Sequence, residues 1–549
     1  MSAQPPSSVA GMTVARWLVP AALACVLPFL GKAPVIDEES YLWLGSHVNV
    51  LHPYDWHRVW QPYGTDDGFI YAHPPLYLWF MALVRTISSS VPLDRLLCAV
   101  PFVALYAWAT ARWATRSTHH AHLAGGLWLT AATVQLGLQD SLMIDLPAVA
   151  LVTAGLAMYR EGLEEGEGLW QAGVLLGLAL ATKYSMGMVV LPVLLHLGVA
   201  VYRKRIPWEV ALIVVAPILL VPLAGEAAMY ALYGRVHVWQ VWEHRADIAS
   251  GPATGRLVGV LARAALLPSP LVLCLVRPAL AGLGVLVGLM ALALSHPTGA
   301  DTSSLTALLC CVALGGMAVV RAGDAALASP LRRRKGDRDD ALLLGGVVLG
   351  VIAGVTLAHN YASARYLLPA ATPLAILMTR SAEEGAGGKT VLRASMLLSG
   401  VSALALCIAD YRFGRAGVDV ATIAAQHVDR LQPAEKRFAG EWGFRYALES
   451  RGWTRYRPAE ALSPGTLVVV AGQESPGEYP RGTWEPVDQV ESVDRFPLRV
   501  MAVGDGVSLY AETLGAFPFG LSGEPLETAT IYRVGALPAL PLGDPTKAP

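Results

Sequence analysis

Charge is what this sequence has little of. Only 15% of its 549 residues are Asp, Glu, Lys or Arg, and 54% are hydrophobic, whereas a soluble domain carries about 25% charged residues. The deficit is spread over many long apolar runs, which excludes a soluble enzyme and describes a polytopic membrane protein. Neither sign dominates: 41 basic and 42 acidic residues leave a net charge of −1, so no global basic field recruits nucleic acid. Cysteine is scarce as well. Cys25, Cys98, Cys274, Cys310, Cys311 and Cys407 all fall inside apolar segments, which argues against a disulfide framework or a zinc knuckle. A Walker loop, a dinucleotide fingerprint and a convincing internal repeat are missing too. A lone Arg16 precedes the first apolar run, without a credible small-residue cleavage site, so that run is expected to be a retained helix.

Segments near the 20 apolar residues a membrane requires fall at 14–31, 95–114, 120–138, 145–160, 169–183, 186–202, 207–226, 257–276, 279–295, 303–320, 341–358, 366–380 and 392–409. The fold class is therefore all-α and polytopic, with about thirteen transmembrane helices. Lys and Arg are retained on the cytoplasmic side. Loops holding Arg112 and Arg116, Arg203 to Arg205, and Arg332 to Arg338 all come out cytoplasmic in one arrangement, with the N-terminus inside and the C-terminus outside. The acidic loop Glu161 to Gly168 then also lies inside. "HPPLYLWFMALVR", His73 to Arg85, is too short to cross and becomes a juxtamembrane or re-entrant helix. It lies within a long first outside loop, 32–94. Tyr54, Trp56, Trp60 and Tyr63 in that loop suit an interfacial aromatic belt more than a sugar-stacking surface.

Near Asp410 the composition shifts. "EWGFRYALESRGW" is patterned as an amphipathic helix and "GTLVVVAG" as a short strand. Residues 1–410 are thus expected to form the transmembrane domain and 411–549 a small extracytoplasmic α/β domain.

Polar residues then gather at the outer ends of separate segments. Asp37, Glu38 and Glu39 follow the first span, with Tyr41 one turn on. His73 heads the re-entrant helix. Asp140 and Asp145 bracket "SLMI". Lys183 and Tyr184 lie in "LALATKYSMG", Glu243, His244 and Arg245 in "VWEHRADI", and Arg365 and Tyr366 open "ARYLLPA". A charge at mid-helix costs about 2.5–3.5 kcal/mol on insertion scales, and intramembrane ionisable residues are functional candidates by default. Plainer roles stand beside the functional one: a solvated cap for Asp37 to Glu39, an N-cap for Asp145, snorkelling for Lys183, an interface anchor for Arg365, a turn for His73, and ordinary loop polarity for Asp140. Together the set suits transfer from a lipid phosphate. Carboxylates take a proton from an acceptor hydroxyl, and Lys and Arg hold a phosphate leaving group.

The ordered motifs "DEESY", "YAHPPLYLW", "DSLMIDLPA", "ATKYSMG", "VWEHRADI" and "ARYLLPA" resemble the GT-C superfamily of membrane glycosyltransferases. The resemblance runs over roughly 14–380 and is closest to bacterial relatives of protein O-mannosyltransferases and of the lipid A aminoarabinose transferase. It implies inverting transfer of a hexose or pentose from a polyprenyl-phosphate donor to a lipid, glycan or protein acceptor, on the outer face of the plasma membrane. It also implies Asp37 as general base or acceptor-orienting acid, supported by Glu38, and Asp145 as the second-loop acid. Lys183 and Arg365 would contact the donor phosphate, with Tyr184, Tyr366, Tyr41 and Arg245 around them. His244, with His73 where the aminoarabinose transferase has a glutamate, would hold a divalent metal ion. The competing class is a secondary transporter or lipid flippase. It would show polar midspan residues and matching halves, neither of which this sequence has.

Overall fold

In the computed structural model the described residues are 7–54, 73–247, 252–268, 272, 277–295, 302–328, 337–385, 387–431, 433, 435–456, 460, 462–474 and 484–535. The aromatic stretch with Trp56, Trp60 and Tyr63, and most of the Arg332 to Arg338 loop, lie outside them. The chain is mostly helical. Among the described residues, seven helices are long and apolar enough to cross a membrane: Met12–Phe29, Val91–Ser117, Tyr184–Tyr202, Trp208–Tyr233, Leu308–Leu327, Asp340–Ala358 and Gly388–Arg430. Each answers to one of the thirteen expected spans. Expected span 145–160 gives the unbroken 21-residue helix Asp145–Glu165, and others are shorter or broken. The segment 120–138 divides into Ala121–Leu129 and Ala132–Gln139, because Ala131 is extended and the Thr133 N–H leaves the helix ladder for the Leu266 carbonyl, 3.0 Å away. Segment 169–183 gives the 14-residue helix Leu169–Thr182. Side chains that are apolar all round bury such pieces within a bundle, where length need not match the bilayer.

The segment after the first span holds two short helices, Glu38–His47 and Leu76–Ile87. The second has 12 residues, about 18 Å of helix, which is too short to cross by itself. Gly45 lets the two helices touch: a Cβ there would lie 2.9 Å from the Met81 carbonyl oxygen. Tyr41 and Tyr77 meet edge-to-face at 5.2 Å.

The boundary expected at 410–411 falls inside a helix. Gly388–Arg430 runs for 43 residues without a break, about 65 Å, or roughly twice the hydrocarbon thickness. The composition shift at Asp410 marks where this helix changes its surroundings, not where it ends. Its second half buries Val420, Ala421, Ala424, Ala425 and Val428 against Phe438, Phe444, Val469 and Ile531 of the C-terminal region. There β1 (Lys436–Ala439), β2 (Thr454–Arg455), β3 (Leu467–Ala471), β4 (Trp484–Ser492) and β5 (Glu527–Val534) form one sheet in the order β2-β1-β3-β5-β4. β1 pairs with β2 and β3 in parallel, and β5 pairs antiparallel with β3 and β4. Trp442–Glu449 is the amphipathic helix, with Trp442, Phe444 and Leu448 buried.

Candidate active site

The three consecutive acids after the first helix go three ways. Ile36 precedes them with φ +52°, a left-handed conformation that a β-branched residue adopts only under constraint. Asp37 then stands at the start of helix Glu38–His47 but makes no capping bond with its side chain. Its Oδ2 instead accepts from Arg365 Nη2 at 3.2 Å. Glu38 is fully buried and accepts bidentately from Arg95 at 2.7 and 2.6 Å, and from the Val35 N–H at 3.1 Å. That pair fastens the first loop to helix Val91–Ser117. Glu39 faces the C-terminal region. Burial raises its pKa to about 8, against the pull of the Arg445 charge from helix Trp442–Glu449.

Asp145 opens helix Asp145–Glu165, and Lys183 follows helix Leu169–Thr182 in extended backbone. Lys183 Nζ donates to Asp145 Oδ1 at 2.6 Å, and both side chains are buried. Neither capping nor snorkelling describes them. Arg365 lies in the short helical turn Ala364–Leu367, where Tyr366 joins the two cations. Lys183 Nζ sits 4.8 Å from the Tyr366 ring and the Arg365 guanidinium 5.2 Å. The Tyr366 hydroxyl donates to that of Tyr361 at 2.9 Å, which also receives Arg365 Nη2 at 3.2 Å.

A cavity lies against this group. Asp145, Arg365, Asp140 and Ile36 line it, together with Leu509 and Tyr510 from the C-terminal region. Three buried polar atoms of its lining residues have no hydrogen-bond partner among the described residues: Asp145 Oδ2, Arg365 Nε and Thr133 Oγ1. An acceptor and a donor left open in this way call for a polar occupant. Four of the residues singled out in the sequence, Asp37, Asp145, Lys183 and Arg365, thus converge from four segments as two ion pairs beside one cavity.

The other candidates lie around this centre. Tyr41 packs its buried ring on Tyr77. The Tyr184 hydroxyl bonds Glu226 and meets His237 Nδ1 at 2.7 Å. His237 stacks on Tyr54 at 5.0 Å, and the Tyr54 hydroxyl donates to the His73 carbonyl at 2.9 Å. His244 and Arg245 are on helix His237–Asp247, with side chains outside the described residues. Asp140, expected to be ordinary loop polarity, bonds the buried Lys32, which also binds Asp410. The Tyr510 hydroxyl donates to Asp410 in turn. Two signals for these missed residues stand in the sequence: Glu226 and Asp410 are acids embedded in apolar runs.

His73, expected with His244 to hold a metal ion, stands among charged groups, while the His244 side chain lies outside the described residues. The His73 pKa is held well below the usual value, by burial first and then by the Lys183 charge, with Arg365 adding to it. The Asp145 carboxylate pulls the other way. Among the described residues, no group of three or more His, Cys, Asp or Glu is placed to hold a metal ion.

Residues 72–223 match a protein family described as dolichyl-phosphate-mannose-protein mannosyltransferase. The matched segment contains "HPPLYLW", "DSLMIDLPA" and "ATKYSMG". No curated protein matches the chain significantly.

Proposed function

We propose, on the premise that this chain is a membrane glycosyltransferase of the GT-C type, that it moves a sugar from a polyprenyl-phosphate donor to an acceptor on the extracytoplasmic face, with inversion. The observation that carries this reading is the convergence of Asp37, Asp145, Lys183 and Arg365 beside one cavity.

Without substrate, each cation rests on a carboxylate. A polyprenyl-phosphate sugar brings one negative phosphodiester charge and two free oxygens, which compete with Asp37 and Asp145 for Arg365 and Lys183. Donor binding draws Arg365 away from Asp37, and the freed carboxylate becomes the base. The acceptor oxygen attacks the anomeric carbon from the face opposite the phosphate. The bond from that carbon to the phosphate oxygen breaks, and its electron pair leaves with the phosphate. The acceptor proton passes to Asp37. Lys183 and Arg365 stabilise the charge growing on the leaving oxygen, in a setting where little water screens it. Asp145 holds Lys183 in place, and Tyr366 fixes the spacing of the two cations. No step runs through a metal.

The acceptor is a lipid, glycan or protein group. The N-terminus is cytoplasmic, and the C-terminal domain lies outside the plasma membrane. Reporters fused after Gly68 and Glu165 test this orientation, the first expected outside and the second inside. For the reaction, the purified chain in vesicles is given labelled polyprenyl-phosphate sugars. Consumption of one donor with transfer of its sugar is expected. A labelled lipid that crosses the bilayer with its sugar still attached would make the protein a flippase instead.

A further inference from the structure

The C-terminal region does more than sit on the bundle. Its segment Ser508–Gly515 enters the cavity wall through Leu509 and Tyr510 and is gripped from both sides. On one side Arg263, fully buried in helix Ala253–Ala264, gives its guanidinium to backbone carbonyls: Leu509 at 3.3 Å, Gly515 at 3.0 Å, Ser508, and Gly259 of its own helix at 3.1 Å. A buried arginine in an apolar helix is costly, and most of this one's bonds go to the segment. On the other side the segment clasps the loop that carries Arg365. The Glu512 N–H donates to the Ala362 carbonyl at 3.1 Å, and the Glu512 carboxylate accepts the Ala362 N–H. The Leu509 carbonyl accepts the Ala364 N–H at 3.4 Å. Gly259 makes room for this clasp, since a Cβ there would lie 2.7 Å from Glu512 Cβ. Between helix Asp337–Ala358 and the turn Ala364–Leu367 the loop has no ladder of its own. Its buried N–H groups need partners from elsewhere, and the C-terminal segment supplies them.

We infer that Ser508–Gly515 is a positioning element of the transferase, and that Glu512 sets the donor-phosphate contact of Arg365 by holding the Ala362–Ala364 backbone. Glu512 touches no reacting atom; it acts through the loop. The inference rests on the proposed function, in which Arg365 contacts donor rather than acceptor.

Full-length Glu512→Ala, Glu512→Gln and wild type in vesicles test it. Glu512→Ala is expected to raise the KM for the polyprenyl-phosphate sugar roughly tenfold, as for one lost charged hydrogen bond, with the acceptor KM unchanged. Glu512→Gln keeps a side-chain oxygen to accept the Ala362 N–H and is expected to restore most of the donor affinity. Hydrogen exchange at the Ala362 and Ala364 amides gives a reading free of any assay: faster in Glu512→Ala, near wild type in Glu512→Gln. Wild-type donor KM and exchange in Glu512→Ala would overturn the inference, as would an equal rise in KM for both substrates. Should Glu512→Ala fail to fold, Glu512→Asp, one methylene shorter, is expected to show a smaller rise in donor KM, and no rise would count equally against it. If wild type transfers no sugar from any donor, the proposed function fails, while the exchange arm still decides whether Glu512 holds the loop.

Discussion

Helix Asp145–Glu165 carries acids at both ends and meets a basic partner at each. Asp145 accepts from Lys183 at 2.6 Å, and Glu161 accepts bidentately from Arg112 at 2.7 and 2.6 Å. Asp145 and Glu161 are 16 residues apart on this helix, about 24 Å, so the two pairs stand most of a hydrocarbon thickness apart. Around Glu161 the charged groups are all paired: Arg116 reaches Glu164 and Glu165, and Asp340 receives Arg160 on one oxygen and Arg380 on the other. Around Asp145 the charged groups keep open valences, since Asp145 Oδ2 and Arg365 Nε have no partner among the described residues and belong to residues that line a cavity. Ion pairing by itself therefore does not mark the end we propose as functional. What marks it is bonding capacity left open toward a space, with the partners brought from several segments.

The largest effect expected from this contrast follows Asp37→Asn. Loss of a general base lowers the rate roughly 10²–10⁴-fold, so sugar transfer should fall below detection, while the variant keeps the melting temperature of the wild type. Normal turnover would remove Asp37 from the chemistry. Lys183→Ala and Arg365→Ala come next. Each takes away a donor to the phosphate and should cost about 10²-fold in kcat/KM, with the donor KM rising and the acceptor KM steady. An equal loss for both substrates would mean that these cations hold the architecture and not the phosphate.

The motifs made the site legible further than they did the fold. Asp37, Asp145, Lys183 and Arg365 each break an apolar pattern at a helix end, and a charge in such a place has few reasons to be there. Their convergence followed from a basic-loop rule that puts all four on one side. The ion pairs between the basic loop of Arg112 and the acidic loop of Glu161 bring the two together at one end of helix Asp145–Glu165. Four things stayed hidden. The division of labour among Asp37, Glu38 and Glu39 depends on Arg365, Arg95 and Arg445, which come from distant segments. The break before Ala132 depends on a hydrogen bond to Leu266. The continuity of helix Gly388–Arg430 was masked because a helix leaving one solvent for another changes its composition without changing its backbone. Lys32 and Asp140 look unremarkable singly and acquire meaning only as one network with Asp410 and Tyr510.

Glu39 offers a pH test of how the C-terminal region is held against the site end. Burial raises its pKa from 4.5 to about 8. The folded state therefore keeps a proton that the unfolded chain has released, and stability falls as pH rises across the window from about 4.5 to about 8. Glu39→Gln removes the titration. Its melting curve should be flatter through that window and should lie above wild type beyond pH 8, with the two converging below pH 4.5. A wild-type slope retained in Glu39→Gln would show that another group carries the dependence.

The smallest effect belongs to the opposite end. Arg112 and Glu161 are partly buried and paired through two parallel bonds, so the pair sits between an exposed ion pair, worth about 0–1 kcal/mol, and a buried one. A double-mutant cycle with Arg112→Ala and Glu161→Ala is expected to give a coupling energy of about 1 kcal/mol in stability, with the donor KM and kcat of each folded variant unchanged. The kinetic half of this prediction is the sharper one. Both ends of helix Asp145–Glu165 are anchored by a cation, so if cutting the Arg112 anchor raised the donor KM, the helix would be transmitting position along its length. The open valences beside Asp145 would then depend on the closed ones beside Glu161. Unchanged kinetics would mean that each end is set locally, by its own partners.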